Sequence, residues 1–344
     1  MNEKKSYTTD NKVVHYSKDE DVNIKLAKII GPKFTEYRKR WDAINNFSEV
    51  SEFPMFLHLD MNQNCNLACP HCIVGHKSIY KNYYQNNLNP LSWEDYQKVI
   101  LEGEEFGCPS MTPQGNNEPL LMSDLEKYIL FANKHGFFDI MMNTNAILLT
   151  EERSKSILDA GFTRLRFSLD AATSDTYYKV RNNRQYNKIK KNIKTFLNLK
   201  EKGGYKLPIT GVSLCKMSNN EHEVNMFYEK WKNMVDIITI QTFIPPFFEK
   251  DFSSYYPKDQ TYQNENPKKF QCPQPFQRVV IRNYEITPCC AMFSNLLKIG
   301  DLKDGIYNAW NSDLMKNIQE IHANGNYQEN KICKQCVDLV FPRK

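Results

Sequence analysis

Three cysteines stand within eight residues, Cys65-Asn66-Leu67-Ala68-Cys69-Pro70-His71-Cys72, just after an apolar run at 55–59 that reads as a strand. A loop of this spacing can wrap three thiolates around one face of a cubane. Four-iron clusters ordinarily take four cysteines, so three would leave one iron open to a small-molecule ligand. A zinc ion completed by His71, His76 or a distant cysteine uses the same residue types. His71 lies between two would-be ligands, which disfavours its joining them, and a loop after a strand at the top of a barrel is where active sites gather. Iron–sulfur is the preferred reading and zinc the alternative.

Further short apolar runs at 110–113, 139–143, 164–169, 209–214 and 237–241 read as strands, with helical patterns between them at 93–106, 124–135, 151–160, 189–202 and 221–231. Parallel neighbours need a crossover connection, so this alternation predicts an α/β chain with a partial (β/α)6 barrel over 53–245. Residues 1–52 read as a polar lead and a helix near 23–44, with no chemistry assigned. A stretch rich in Pro, Tyr, Phe, Asn and Lys at 243–270 marks a linker into a smaller domain, 246–344, with hairpin arms at 277–281 and 284–288 and helices at 305–311 and 313–322.

Charge narrows the function classes. The 344 residues hold 45 Lys and Arg against 40 Asp and Glu without a long block of either sign, which argues against a nucleic-acid surface. No run has the length of a signal peptide core or a membrane span, so a cytoplasmic protein with no membrane partner is expected. In a reducing compartment, clustered cysteines are better explained by metal or iron–sulfur ligation than by disulfides.

A second set closes the chain: Cys272, the pair Cys289 and Cys290, and Cys333-Lys334-Gln335-Cys336. Four thiolates from three segments can complete a cluster or a tetrahedral zinc site. Cys108 and Cys215 stand alone, as small buried hydrophobes usually do. Cys215, at the end of the fifth predicted strand, could reach the barrel mouth and return a hydrogen atom to a substrate radical.

The first cysteine spacing resembles the signature of the radical S-adenosylmethionine enzymes, in which the methionine end of the cofactor chelates the open iron. The resemblance places Cys65, Cys69 and Cys72 on the catalytic 4Fe–4S cluster and His71 beside the adenine. Gly115-Asn116-Asn117-Glu118-Pro119 resembles the family's Gly-Gly-Glu-Pro turn, so Gly115, Asn117 and Glu118 are expected near the methionine amino group. Asn tolerates the positive φ that such a turn can require. Thr144 and Asn145 end the third strand as the family's rim residues do. Ser168 and Arg181 occupy the positions that contact ribose or carboxylate, and Asp170, closing the same strand end, is a further cofactor-binding candidate on the rim.

The last quarter resembles the family's SPASM or twitch extension, with its Pro-Cys-Cys after a hairpin arm and its closing Cys-x-x-Cys. This implies one auxiliary 4Fe–4S cluster on Cys272, Cys289, Cys333 and Cys336. Cys289 is preferred over Cys290 because it follows the proline and because adjacent strand residues face opposite ways. The resemblance implies cleavage of S-adenosylmethionine to a 5'-deoxyadenosyl radical, fed by flavodoxin or ferredoxin. The expected outcome is oxidation or epimerisation of a small molecule such as a sugar, aminocyclitol or nucleotide-sugar. A peptide or protein maturase is the alternative within the family, and a zinc-binding interaction protein the alternative outside it.

Overall fold

The computed structural model describes residues 2–6, 13–79, 89–258, 268–291 and 294–340. Its frame is a twisted sheet. In chain order the strands are β1 (Asn2–Ser6), β2 (Val13–Ser17), β3 (Phe56–Leu59), β4 (Ser110–Thr112), β5 (Asp139–Thr144), β6 (Arg164–Ser168), β7 (Ile209–Lys216), β8 (Ile237–Thr242), β9 (Arg278–Arg282), β10 (Glu285–Thr287) and β11 (Gly300–Asp301). In space the order is β1-β2-β8-β7-β6-β5-β4-β3-β9-β10-β11. Strands β3 to β8 are parallel throughout, as the alternation of strands and helices predicts.

Side-chain alternation divides each strand between a packed outer face and the barrel interior. In β6, Leu165 and Phe167 join the main core, where Phe167 meets Phe196 edge-on at 5.7 Å, while Arg166 and Ser168 take the other face. The helices begin at polar caps: Ser92, Thr150 and Thr173 accept from the backbone N–H groups of Asp95, Arg153 and Thr176. All six expected barrel strands occur within two residues of their expected ends.

Three features depart from the expectation. The helix expected near 23–44 is two, α1 (Val22–Ile30) and α2 (Pro32–Asn45), because Gly31 takes φ +91° and Pro32 opens the next helix. The polar lead is not featureless, since β2 pairs antiparallel with β8 from Val13↔Gln241 to Ser17↔Ile237. The C-terminal hairpin does not stand apart either: β9 pairs parallel with β3, so the barrel sheet runs on into the last quarter of the chain.

Side chains lock this junction. The Trp310 indole N–H donates to the Ser51 carbonyl at 2.8 Å, and the Glu102 carboxylate accepts from the N–H groups of Ile306 and Tyr307 at 3.0 and 2.7 Å. Among the described residues, no helix is long and apolar enough to cross a membrane.

Candidate active site

The loop after β3 carries Cys65, Cys69 and Cys72 across the carboxyl ends of the parallel strands. Burial pushes the thiols of Cys65 and Cys72 up, to about 11 and about 12, and the neighbouring Cys69 adds to both shifts, so the three sulfurs share one electrostatic neighbourhood. Donors already point at the sulfurs. The Leu67 N–H lies 3.4 Å from Cys65 Sγ, and Arg181 Nη1 lies 3.6 Å from Cys69 Sγ. Among the described residues the Tyr177 hydroxyl and Arg181 Nε are buried without hydrogen-bond partners, both within reach of the field of Cys69. Gly75 presses on the loop so closely that a Cβ there would stand 2.2 Å from the Cys69 carbonyl oxygen. Three thiols, donors to two of them and orphaned polar groups alongside suit a thiolate-bound cluster. Among the described residues no three His, Cys, Asp or Glu side chains form a site for a single metal ion.

The rim motifs are tied to this loop, and their roles are partly internal. Glu118 is buried, and burial pushes its carboxyl up. Its oxygens accept from Thr144 Oγ1 at 2.6 Å, the Asn145 N–H at 2.8 Å and the Leu120 N–H at 3.2 Å. Asn145 in turn donates to Asn66 inside the cysteine loop at 2.7 Å. Asn117 accepts from the Gly115 N–H at 2.7 Å and so closes its own turn. A Cβ on Gly115 would stand 2.5 Å from the Asp60 side chain, which explains the glycine. Asp60 pairs with Arg282 at 2.6 Å and accepts from the Asn116 N–H at 3.2 Å, linking β9 to this turn.

A second hub is Asp170, at φ +61° just past β6. Its carboxylate accepts from the Cys215 N–H at 2.7 Å and from Arg181 Nη2 at 2.7 Å, and lies 3.5 Å from His71 Nε2. His71 Nδ1 lies 3.1 Å from the Val180 carbonyl, and burial lowers its pKa to about 4. Arg181, expected at a cofactor carboxylate, therefore divides its fork between Asp170 and the Cys69 sulfur.

These residues ring a cavity of about 440 Å3 within the barrel mouth. Ser168, Asp170, Arg181, His71 and Cys72 line it together with Cys215, Gln241, Gln274, Cys290 and Cys336. The volume is typical of small-molecule sites. Burial pushes the Cys215 thiol far up, so it stays protonated at neutral pH.

The C-terminal cysteines separate by the direction they face. Cys272, Cys289, Cys333 and Cys336 line one small apolar void of about 40 Å3. Cys290 points the opposite way, into the large cavity, where its N–H and thiol both donate to Gln274 Oε1 at 3.0 and 3.1 Å. Sequence reasoning did not find His322. Its Nδ1 accepts from the Cys272 N–H at 3.3 Å, which leaves Nε2 as the protonated nitrogen, 3.3 Å from Cys333 Sγ. Asp60, Asn66 and Gln274 were missed as well, each a polar residue whose partner comes from another segment of the chain. Cys108 donates to the Ser110 carbonyl at 3.6 Å in the core, away from both groups.

Comparison with known proteins agrees with this arrangement. A model of the radical SAM superfamily matches residues 60–228, and a model of the SPASM iron–sulfur cluster-binding domain matches 272–337. Among curated relatives, the GTP 3',8-cyclase of Clostridium acetobutylicum is 31% identical over 180 residues, 52% of this chain and 53% of the cyclase. The chain thus spans about half the length of such relatives. The solved structure of BtrN in complex with AdoMet and 2-DOIA covers 83% of this chain and 93% of its own at 13% identity, with a TM-score of 0.52. Streptococcus suis SuiB bound to precursor peptide SuiA covers 83% and 70% at 13% identity, with a TM-score of 0.57. At such identities the likeness is one of fold.

Proposed function

The chain belongs to the radical SAM superfamily and carries a C-terminal SPASM domain, which together imply catalytic and auxiliary 4Fe–4S clusters and S-adenosylmethionine, and on that premise we propose that it abstracts a hydrogen atom from a small polar substrate, leading to oxidation or epimerisation. One observation carries the reading: a cysteine from each set, Cys72 and Cys336, lines the same cavity. When bound, the clusters and S-adenosylmethionine supply an electron and a 5'-deoxyadenosyl radical. Cys65, Cys69 and Cys72 hold the catalytic cluster. Cys272, Cys289, Cys333 and Cys336 hold the auxiliary one.

The other residues orient and insulate. Glu118 holds Thr144 and Asn145 at the rim and keeps one lone pair for the methionine ammonium, with Gly115 and Asn117 shaping the turn. Asp170 and Arg181 fix the wall between the cysteine loop and β7, and His71 stands beside the adenine. Ser168 offers a hydroxyl to the ribose. Phe243, Ile244, Pro245 and Pro246 supply an apolar edge to the cavity that limits water. Cys215 and Cys290 both line the cavity, either placed to return a hydrogen atom. If one does, the outcome is epimerisation; if the electron leaves toward the auxiliary site, it is oxidation.

Two variants separate the roles. Anaerobically reconstituted wild type should hold about eight iron atoms, and Cys69→Ala and Cys333→Ala about four each. Only Cys333→Ala should still form 5'-deoxyadenosine, without product. Zinc in place of iron, or a peptide as the sole molecule that stimulates turnover, would contradict the proposal.

A further inference from the structure

Charge that is nearly balanced over the whole chain is far from balanced in one segment. Between Tyr177 and Lys202 stand nine Lys and Arg against a single acid, Glu201. They fall on two helices, α3 (Ser174–Arg181) and α4 (Tyr186–Lys202), and the turn between them. In α4 the buried stripe is Tyr186, Ile189, Ile193 and Phe196, which turns Lys188, Lys191 and Lys194 out to solvent. Among the described residues the ion pairs of this segment are Arg181 with Asp170 and Lys200 with Asp236, which leaves Lys179, Arg184, Lys188, Lys191 and Lys194 without a carboxylate.

The arrangement does not serve the helix. The first turn of α4 has no acid and no side-chain cap, so Lys188 and Lys191 stand at the positive end of the helix dipole. Lys191 is also three residues from Lys188 and from Lys194, and like charges at that spacing destabilise a helix. The repulsion reaches the next helix: burial, then the charge of Lys190, lower the pKa of Lys230, and Lys194 adds to the shift. A field of one sign on an exposed face attracts and orients a partner of the opposite sign.

Position selects the partner. Arg181, the last residue of α3, lies 3.6 Å from Cys69 Sγ, and the Val180 carbonyl lies 3.1 Å from His71 Nδ1, so the basic face begins against the cysteine loop. Arg184 lies over the exposed Tyr178 ring at 4.1 Å, a pairing of two residue types that are enriched at protein interfaces. The exposed residues of the loop itself, Asn64, Asn66 and Ala68, carry no charge to oppose an approach. At the far end of α4, Asp236 answers Lys25 and Lys200, so the unanswered charge is concentrated toward the cysteines. The reaction proposed above begins with an electron that neither the chain nor S-adenosylmethionine supplies.

We propose that the exposed face of α3 and α4 docks an acidic protein that carries one electron. The carrier is oxidised by one electron and the site at Cys65, Cys69 and Cys72 is reduced by one; no bond forms or breaks between the two proteins. The proposal rests on the reading of the first cysteine set as a reductive site and adds the surface through which it is fed.

The test uses the full chain with its clusters reconstituted. Wild type is compared with the triple variant Arg184→Glu, Lys188→Glu, Lys191→Glu and with a charge-matched control, Lys39→Glu, Lys134→Glu, Lys316→Glu, at exposed sites on other helices. Affinity for a flavodoxin and for a ferredoxin is measured by calorimetry at low and high salt, and the rate of reduction by each reduced carrier is compared with that by dithionite. Wild type should bind at least one carrier and lose affinity as salt rises. The triple variant should bind that carrier about tenfold more weakly and be reduced by it about tenfold more slowly, while the control matches wild type and dithionite reduces all three alike. The triple variant should melt no lower than wild type, because its substitutions place acids at the start of α4, so its weak binding is not misfolding. Binding of neither carrier by wild type, an equal loss in the triple variant and the control, or tighter binding of a short RNA duplex than of either carrier through the same charges would overturn the proposal. Failure of dithionite to reduce the protein would fall on the reductive reading, while the binding data decide the dock by themselves.

Discussion

His322 shows how a single side chain can tune a site that it does not ligate. With Nδ1 accepting from the Cys272 N–H, its Nε2 proton faces Cys333 Sγ, and burial lowers its pKa to about 4, so it is a neutral donor at pH 7. Removing a hydrogen bond to a cluster sulfur lowers the reduction potential. His322→Leu should therefore shift the auxiliary signal in a potentiometric titration downward, with iron content unchanged and His322→Gln between the two. His58 allows a test by pH. Burial first, then Arg278 and Arg282, lower its pKa from 6.5 to about 3. The unfolded chain then takes up a proton between those values and the folded chain does not. The contribution is whole above pH 6.5 and falls by about 1.4 kcal/mol per unit as the pH drops toward 3. His58→Gln should flatten that limb of a denaturation series. Of these features the cysteine clusters were legible, as was the opposite facing of Cys289 and Cys290, because motif spacing and strand alternation are local. His322 was not, since its meaning comes from contacts with Cys272 and Cys333 that no motif in the sequence announces.

At the scale of elements, the cysteine loop is held by what presses on it from below. Gly75→Ala would drive a methyl into the Cys69 carbonyl, so the loop must move. Iron should fall from about eight to about four per chain, with the auxiliary cluster intact. Asp60→Asn would leave Arg282 buried beside a neutral partner and should cost about 3 kcal/mol in chemical denaturation. The parallel strands were readable because each is a short apolar run bounded by an amphipathic helix. The break at Gly31–Pro32 was also written in the sequence, though a single helix was expected there. The helix that carries Cys333 and Cys336, Lys331–Val340, was not expected, because the eye reads a Cys-x-x-Cys as a ligand loop before it reads the helical spacing of Ile332, Cys333, Cys336, Val337 and Val340.

For the molecule as a whole, the consequential fact is continuity. Because β9 continues the barrel sheet beside β3, the C-terminal cysteines are brought over the same mouth that the cysteine loop covers, and one cavity meets both sets. No periodicity in the sequence announces that pairing, or that of β2 with β8, since register between strands about 220 residues apart is decided by packing rather than by pattern. The reaction proposed for this geometry is reductive cleavage of S-adenosylmethionine at the first cysteine set. The direct measurement is 5'-deoxyadenosine formed anaerobically by the reconstituted protein with S-adenosylmethionine and a chemical reductant. Wild type should form it steadily and Cys69→Ala not at all; a fully iron-loaded wild type that forms none would rule this reaction out.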